Sequence, residues 1–566
     1  MKTSPRVSFG LYALDIKQDS TPNASGQQDF SNVADLRNDN ATKLPYITYE
    51  PDYWLLDGKY KILPTTYAAV HVGLMSTEMS DQAGVFETAP FLVVYFSQEH
   101  SSDGLTLRFQ QESDDYASLI RVIYYDASDS VIMDTFYEIE SWEFSAIFSV
   151  ENFKKISITF LKTSKPYRYL RLTGIDYGQL LYFDAEDIKE ASIIEELDFL
   201  SAEVRYNTFN LKLYSKDEEF NILNPTGLYA SLQQRQPLAV HEIVDNTTVF
   251  LGQFYLSEWE NLTDTETQFT CIDLVGILDT LAPYKGGIWL SGINLEDLVQ
   301  AIMEEIQVPY DLDVNLYGTV IKGWLPICTY REALQQIAFA AGAFVTCSRS
   351  STINIHKTKI AFSETASQHI GNDSKGIDSP IKLKSLITGV EVTAHNYVQI
   401  SDVKELYNGA LDAGLHEIQF SEPMHDLSVT GATISESGTN YAILNVASAG
   451  TVVLTGQAYA DTSKVFSHYM SGLSATIKPN ILRVKDATLV NIANGQAVTD
   501  RIYDYHSQRY IQNTKLFYPS AAVGDIISTS TKQTDTQLVC GVEKMDINLL
   551  GFVVDTEMTG VTNAVD

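Results

Sequence analysis

The chain has 566 residues, more than the roughly 250–300 at which a single hydrophobic core stops growing, so several domains are expected. Its formal net charge is −33. Such a chain offers no basic surface that could displace counterions from a nucleic-acid backbone, so nucleic acid is not an expected partner. Aromatic residues make up 11 % of the chain and often occur in short alternating runs, which favours mainly β structure.

The four cysteines are far apart and include no CxxC pair, which predicts buried free thiols in a protein made in the cytoplasm. The N-terminal segment MKTSPRVSFGLYALDIKQDS has no apolar core of the kind that a Sec signal needs. No apolar run approaches the ~20 residues of a membrane span. We therefore expect no membrane span, and release from a cell only by lysis or as part of a particle.

In chain order, residues 1–69 begin with a strand-like run around Val7 and Phe9. Residues 20–45 are rich in Asn, Asp, Ser and Gly and predict an exposed loop. Aromatic and apolar residues resume at Tyr49.

Residues 70–178 predict an inserted all-β unit. Seven strand-like segments, separated by turn residues, cover 91–97, 105–110, 118–126, 130–138, 144–150, 154–163 and 168–178. Their order and the closing KPYRYLRLTGIDYG resemble the jelly-roll of discoidin and carbohydrate-binding modules. In many such modules loops at one edge bind sugars, but no individual binding residue can be carried over.

Residues 179–289 predict a unit of several strands, with alternation such as Leu211 and Leu213 around Lys212. Four sequence segments in this region, here called phrases, resemble the first β-barrel of the phage baseplate hub family. They are NTFNLKLYSKDEEFNILNP, QQRQPLAVHEI, FLGQFYLSEWE and FTCIDLVGILD. The phrase PRVSFGLYALDIKQD at 5–19 resembles the same family, so residues 1–69 are expected to belong in part to the hub.

Residues 290–379 predict a small α+β module. One helix is expected after Asn294, with an apolar stripe formed by Leu295, Leu298, Val299, Ile302, Met303 and Ile306. A second begins with a capping box of Thr329 and Glu332 and ends at Gly342. A strand at 344–348 and a hairpin partner at 353–356 follow.

The segment PICTYREALQQIAFAAGAFVTCSRSSTINIH at 326–356 is the most specific match. It resembles the REALQQIAFAIGA-type segment of tail proteins in prophages of clostridia and related Gram-positive bacteria. That family implies a homotrimer in which two barrels per subunit form a pseudo-sixfold ring, in the tail baseplate or tip of a phage virion or tail-derived bacteriocin. The implied partners are the tail tube or distal tail protein, the tip or spike protein, the tape measure protein and the baseplate arms.

Residues 380–566 predict mostly β structure, interrupted by one helix with Val498, Ile502 and Tyr505 at helical spacing. The phrase VGDIISTST is similar to the start of a strand in a closing hub barrel. The expected fold class is therefore mainly β with a small α+β module: two hub-type β-barrels plus an inserted β-sandwich of jelly-roll type.

Catalytic and metal motifs are missing from the sequence. Cys328 and Cys347 precede His356, but their positions favour packing over nucleophilic catalysis. There is no HExxH, no GxSxG and no metal-ligand spacing among the histidines. The stretch 311–322 departs from a calcium loop at its sixth and twelfth positions, Leu316 and Lys322.

Carboxylate pairs such as Glu195-Glu196 and Glu304-Glu305 predict a solvated face rather than a glycosidase dyad. We therefore predict no catalytic, cofactor-binding or metal residues, and no enzyme activity.

Three hypotheses follow. The first is a structural hub that joins tail tube to tip. The second is a host-surface glycan binder that acts through the jelly-roll on cell-wall glycan; exposed aromatics clustered on one loop edge would favour it. The third is a tail-associated lysin, which is disfavoured because the sequence ends soon after the last strand-like segment near Val554.

Overall fold

The computed structural model describes residues 3–37, 45–56, 60–65, 71–224, 227–245, 247–376, 379–517, 521–530, 536–551 and 553–564. Strands hold 53 % of the described residues and helices 13 %, which confirms the predicted mainly β class. In the described part of the chain, no helix is long and apolar enough to cross a membrane. Short 3-10 helices lie at Val33–Arg37, Leu228–Ser231, Leu278–Thr280, Val314–Leu316, Ala361–Ser363 and Asn372–Ser374.

The N-terminal part contains eight strands and one helix: β1 (Thr3–Tyr12), α1 (Leu14–Asp19), β2 (Thr21–Ala24), β3 (Leu74–Met79), β4 (Phe91–Phe109), β5 (Ala117–Tyr125), β6 (Val131–Glu138), β7 (Glu143–Thr163) and β8 (Tyr169–Phe183). Strands β2 to β8 surround a separate apolar cluster that includes Phe109, Tyr124 and Phe160. The predicted segments 91–97 and 105–110 are one strand, β4, because the polar residues between them continue the ladder through bulges. For the same reason 144–150 and 154–163 both belong to β7.

The predicted exposed loop at 20–45 is wrong over its first part. Strand β2 pairs with β4, and the 3-10 helix that follows buries Leu36 completely in the jelly-roll core. Isolated apolar residues in a polar stretch gave no periodic signal for this packing. Residues 38–44 lie outside the described part of the chain.

The first curved sheet follows, with β9 (Ile188–Glu196), β10 (Thr208–Tyr214), β11 (Pro237–Val244), β12 (Thr247–Asn261), β13 (Glu266–Ile272) and the short α2 (Leu274–Ile277). Its strand order is β8–β1–β11–β12–β13–β10–β9. Only the last part of β8 takes part, and Tyr12 lies opposite Gly178 in the β1–β8 pairing. Residues 13–177 are thus inserted between two strands that form a hairpin, and the predicted boundary at 178 falls inside β8.

The α+β module consists of β14 (Gly287–Asn294), α3 (Leu295–Ile306), β15 (Tyr310–Leu312), β16 (Val320–Leu325), α4 (Tyr330–Ala341), β17 (Ala343–Thr346) and β18 (Ile353–Lys357). The predicted capping box of α4 is confirmed: the Thr329 hydroxyl accepts from the Glu332 amide at 3.2 Å, and the Glu332 carboxylate accepts from the Thr329 amide at 2.9 Å. Gly342 ends α4 with a left-handed φ of 78°. The helix after Asn294 is also present, but the Asn294 side chain makes no capping hydrogen bond to its backbone.

The C-terminal third contains β19 (Gln368–Ile370), β20 (Ile381–Leu383), β21 (Gly389–Ala394), β22 (Tyr397–Leu411), β23 (Gly414–Gln419), β24 (Met424–Thr430), β25 (Thr433–Ser437), β26 (Tyr441–Val446), β27 (Gly450–Asp461), β28 (Lys464–Tyr469), β29 (Ile481–Val484), α5 (Gly495–Ser507), β30 (Tyr510–Phe517), β31 (Ile526–Ser530), β32 (Thr536–Asn548) and β33 (Val553–Ala564). The predicted helix is α5. The predicted strand around 526 is β31.

A second curved sheet continues from the first. The end of β32 pairs with β9, and β33, β30 and β20 follow on its other side. One apolar cluster runs through both curved sheets and the α+β module. Among the described strands no pairing closes either sheet, so the two predicted barrels are open, curved sheets here.

Residues 397–461 form a further unit inside the region that was predicted to be the second barrel. Two three-stranded sheets, β22–β27–β24 and β23–β26–β25, enclose a small apolar cluster that includes Phe420 and Leu454. The unit is an insertion between β21 and β28, which pair with each other at its base.

Candidate functional site

The thiols of Cys328 and Cys347, which were considered as nucleophiles, lie among packed side chains that favour their protonated form. All four cysteines are free; Cys271, Cys347 and Cys540 are buried and Cys328 is half-buried. Burial raises the pKa of Cys347 well above its usual range and that of Cys328 to about 12. The Cys347 thiol donates to the Ser350 carbonyl at 3.6 Å. Since the thiolate is the nucleophile, these thiols are poorly suited to catalysis at neutral pH.

His356 does not make up for this. It lies on β18 beside the Phe344 ring, with 5.6 Å between the ring centroids. Burial and the nearby Lys359 lower its pKa, which favours the neutral imidazole. Among the described contacts, none joins His356 to a cysteine, and the prediction of no catalytic residue stays a prediction.

The carboxylate pairs separate into different environments. Glu195 is 1 % exposed, with its Oε1 3.6 Å from Arg349 Nε, and burial raises its pKa. Its neighbour Glu196 points away and pairs with Lys544. The expected solvated face is therefore wrong for Glu195. Glu304, by contrast, is exposed and accepts from Gln300 at 2.7 Å.

The stretch compared with a calcium loop has a structural role. Asp313 accepts hydrogen bonds from the backbone amides of Asn315 at 2.9 Å and Lys357 at 3.2 Å, so it ties a 3-10 turn to β18. Across the described ranges, no group of three or more His, Cys, Asp or Glu side chains could hold a metal ion.

The jelly-roll presents aromatic rings on a sheet face rather than on a loop edge. Its outer sheet has the order β2–β4–β7–β5–β6. Phe91, Tyr95 and Phe136 are 43 %, 48 % and 58 % exposed on the solvent side of this sheet. The Arg121 guanidinium lies 5.5 Å from the centre of the Phe136 ring. In the described loops, Tyr167 is an exposed aromatic of residues 71–178, and Tyr49 is exposed in the segment 45–56 that packs against this unit.

A buried ion network joins the N-terminal segment to the jelly-roll. Lys17 on α1 contacts Asp176 on β8 at 2.6 Å, and Arg108 on β4 pairs with the second oxygen of Asp176. Arg108 also donates to the Tyr12 hydroxyl at 2.8 Å and pairs with Glu143 at 3.0 Å. Burial alone would raise the pKa of Asp176, but the two cations outweigh it and hold that pKa at about 2.

A second network fixes residues 45–56 against the jelly-roll. The Glu50 carboxylate accepts hydrogen bonds from both terminal nitrogens of Arg171. The guanidinium of Arg171 lies 4.0 Å from the centre of the Tyr53 ring. Arg168 pairs with Asp115 at 3.1 Å and donates to backbone carbonyls of the same N-terminal segment. The jelly-roll is therefore anchored by charge pairs at two places.

The unit at 397–461 docks on the α+β module through one asparagine. Asn440 is fully buried, and its amide nitrogen donates to the carbonyls of Lys285 at 2.9 Å and Leu325 at 3.0 Å. Its oxygen accepts from the Trp324 indole at 2.7 Å. Lys285 adds an ion pair with Glu417. Both N–H groups of the Asn440 side-chain amide and one of the two lone pairs of its oxygen are used at this joint.

These joints were not predicted, because the sequence carries little local signal for them. The one local signal was Asp176 in the mostly apolar run LRLTGIDYG, since a carboxylate there predicts a buried partner. The sequence does not identify that partner, because Lys17 is 159 positions away.

No protein-family model matches the chain, and no curated protein matches it. Among solved structures, a tail protein from Neisseria meningitidis MC58 is similar, with a TM-score of 0.39 and 10 % identity over 66 % of this chain and 92 % of that one. Prophage tail protein gp18 from Listeria monocytogenes gives a TM-score of 0.38 and 6 % identity, over 67 % and 91 %. The family 32 carbohydrate-binding module of Clostridium perfringens NanJ, solved in complex with galactose, gives 0.20 and 7 %, over 31 % and 99 %. At these values none of the likenesses assigns a function to this chain.

Proposed function

We propose that this chain is a non-enzymatic structural protein of a phage tail or tail-derived particle. In this proposal it forms an oligomeric hub, expected to be a homotrimer, at the distal end of the tail. There it would join the tail tube to the tip and the baseplate.

The main support for the proposal is that residues from three segments resembling the hub family pack against one another in one core. Phe9, Phe220 and Phe269 come from three phrases that are far apart in the sequence. Their ring centroids lie 5.3 Å to 6.4 Å from one another, with two of the three contacts edge-on. The three segments therefore belong to one folded unit, as the resemblance to the first hub barrel implies.

The continuity of the two curved sheets also supports a ring subunit. The pairing of β9 with β32 joins segments about 350 positions apart into one sheet that presents a long, continuous strand surface. Exposed strand edges carry unpaired backbone N–H and C=O groups, which folded proteins usually protect. In a symmetric oligomer, one contact repeated between identical subunits would protect these edges in every copy. The jelly-roll has its own core, and in this proposal it projects from the ring as a docking module.

Measuring the mass of the purified full chain, alone and with its tail-tube partner, tests the hub proposal. We expect a discrete oligomer in at least one of the two conditions. A strict monomer in both, at concentrations where tails assemble, would contradict a ring-forming role.

A second candidate function is recognition of cell-wall glycan through the outer sheet of the jelly-roll. It is favoured by the exposed rings of Phe91 and Tyr95 on the face of β4, since aromatic rings stack on the apolar faces of sugars. Binding of the full chain to purified cell walls tests it. Phe91→Ala with Tyr95→Ala should abolish binding; Tyr182→Ala, an exposed ring outside that face, is the control and should not.

A further inference from the structure

Two neighbouring segments of this chain carry opposite charge. Residues 397–461, here called the acidic unit, contain eight carboxylates and one lysine, Lys404, for a net charge of −7. Residues 464–485, here called the basic segment, contain Lys464, Lys478, Arg483 and Lys485 and no acidic residue. A strongly acidic protein therefore places a local positive surface directly after its small acidic insertion.

The cations of the basic segment are exposed, and none of the four is described in a pair with the acidic unit. Lys464 lies 4.6 Å from the centre of the Phe466 ring, and Lys485 lies near enough to Glu391 to help lower the pKa of that carboxyl. Lys478 and Lys485 are exposed, and Arg483 pairs at 2.8 Å with Glu391 on the adjacent strand. Within the described contacts, no ion pair or hydrogen bond joins the side chains of these cations to a carboxylate of the acidic unit.

Another basic stretch of the chain forms more ion pairs inside the subunit. Residues 152–173 hold six cations and no acidic residue. Four of them, Lys155, Lys165, Arg168 and Arg171, pair with carboxylates of the same subunit. Four of six cations therefore form ion pairs inside the subunit in that stretch, whereas one of four, Arg483, does so in the basic segment among the described contacts.

Both surfaces also expose apolar side chains and open strand edges. In the basic segment, Val465 and Tyr469 are 57 % and 51 % exposed; in the acidic unit, Val403 and Leu415 are 64 % and 69 % exposed. Strand β22 pairs with β27 on one side, and no described strand pairs with its other edge. Such an edge is normally covered in an assembled protein.

We infer that the acidic unit of one copy binds the basic segment of the next copy. The partner is a second copy of this chain because both complementary surfaces belong to it. The net charge of the chain, −33, opposes self-association through surfaces that lack such complementarity. The contact is head-to-tail, so its repetition closes a ring when the rotation permits. This inference rests on the proposed oligomeric hub and names the surfaces that hold it together.

Charge reversal on each side tests the contact. Lys478→Glu with Lys485→Glu changes the basic segment, and Asp402→Lys with Asp412→Lys changes the acidic unit; all four side chains are exposed. Each double variant should raise the subunit dissociation constant by about tenfold or more, because like charges then face each other across the contact. Combining all four changes should restore association to about the wild-type level, since opposite charges face each other again.

The measurement is sedimentation equilibrium of the full chain at low salt, with circular dichroism to verify folding. Lys154→Glu with Lys162→Glu in the jelly-roll is a matched control and should leave association unchanged. Unaffected association in both double variants, or a combined variant no stronger than either, would overturn the inference while leaving the hub proposal intact. A monomeric wild-type chain would also overturn it, and the position of the chain in native particles would then decide the hub proposal separately.

Discussion

Removing the Asp176 carboxylate should loosen the attachment of the N-terminal segment to the jelly-roll. Asp176 is 1 % exposed and faces both Lys17 and Arg108, and the Lys17 side chain is itself 6 % exposed. Asp176→Ala removes the carboxylate that lies 2.6 Å from that buried ammonium. Breaking a buried pair in this way costs about 3–5 kcal/mol.

The same pair predicts a dependence on pH. The folded pKa of Asp176, about 2, lies below the value of about 3.9 for an unfolded aspartate. The stabilisation is therefore fully present above pH ~4 and is lost as the pH falls toward 2, where the folded carboxyl also takes up a proton. Asp176→Ala should lack this acid-sensitive component.

Hydrogen exchange of the amides of α1 and β8 measures the effect locally, which matters because a chain with several cores does not unfold in one step. Asp134→Ala is the control, since its pair with Arg121 on the outer sheet is solvent-exposed and should contribute little. Equal exchange rates in Asp176→Ala and Asp134→Ala would refute the reasoning.

Three further predictions follow from the joints and the thiols. Asn440→Ala should speed exchange throughout β23–β26 while leaving the jelly-roll unchanged, because it removes three hydrogen bonds at a buried contact; equal protection in both proteins would contradict this. Replacing residues 13–177 with a short turn should give a soluble, oligomerising chain, because Tyr12 already lies opposite Gly178; an insoluble product would show that the insertion is needed for folding. Zymography on cell walls should show no clearing zone, and Cys347→Ala should not change particle infectivity; a zone that this change abolishes would favour a lysin.

The parts of the fold that the sequence predicts are those with local causes. Helix α4 is predicted at both ends because a capping box and a C-terminal glycine act within a few residues. The pairing of β9 with β32 is not predictable in this way, since nothing in either strand specifies a partner some 350 residues distant. The burial of Leu36 was missed for a related reason: one apolar residue in a polar stretch has no periodicity.

The candidate surfaces were predictable only in outline. The inserted β unit was predicted from its strand spacing, but its exposed rings lie on a sheet face that only the register of β4, β5 and β6 defines. The acidic and basic segments are both visible in the sequence. Their significance depends on which cations find partners inside the subunit, and that is a property of the folded chain.

The position of this chain in native particles tests the central proposal most directly. Particles carrying an affinity tag on this chain can be labelled with gold and imaged by electron microscopy. The hub proposal predicts label confined to the distal end of the tail, below the tube. Label along the tube wall or on the head would contradict it. So would intact particles that contain every other tail component but carry no label.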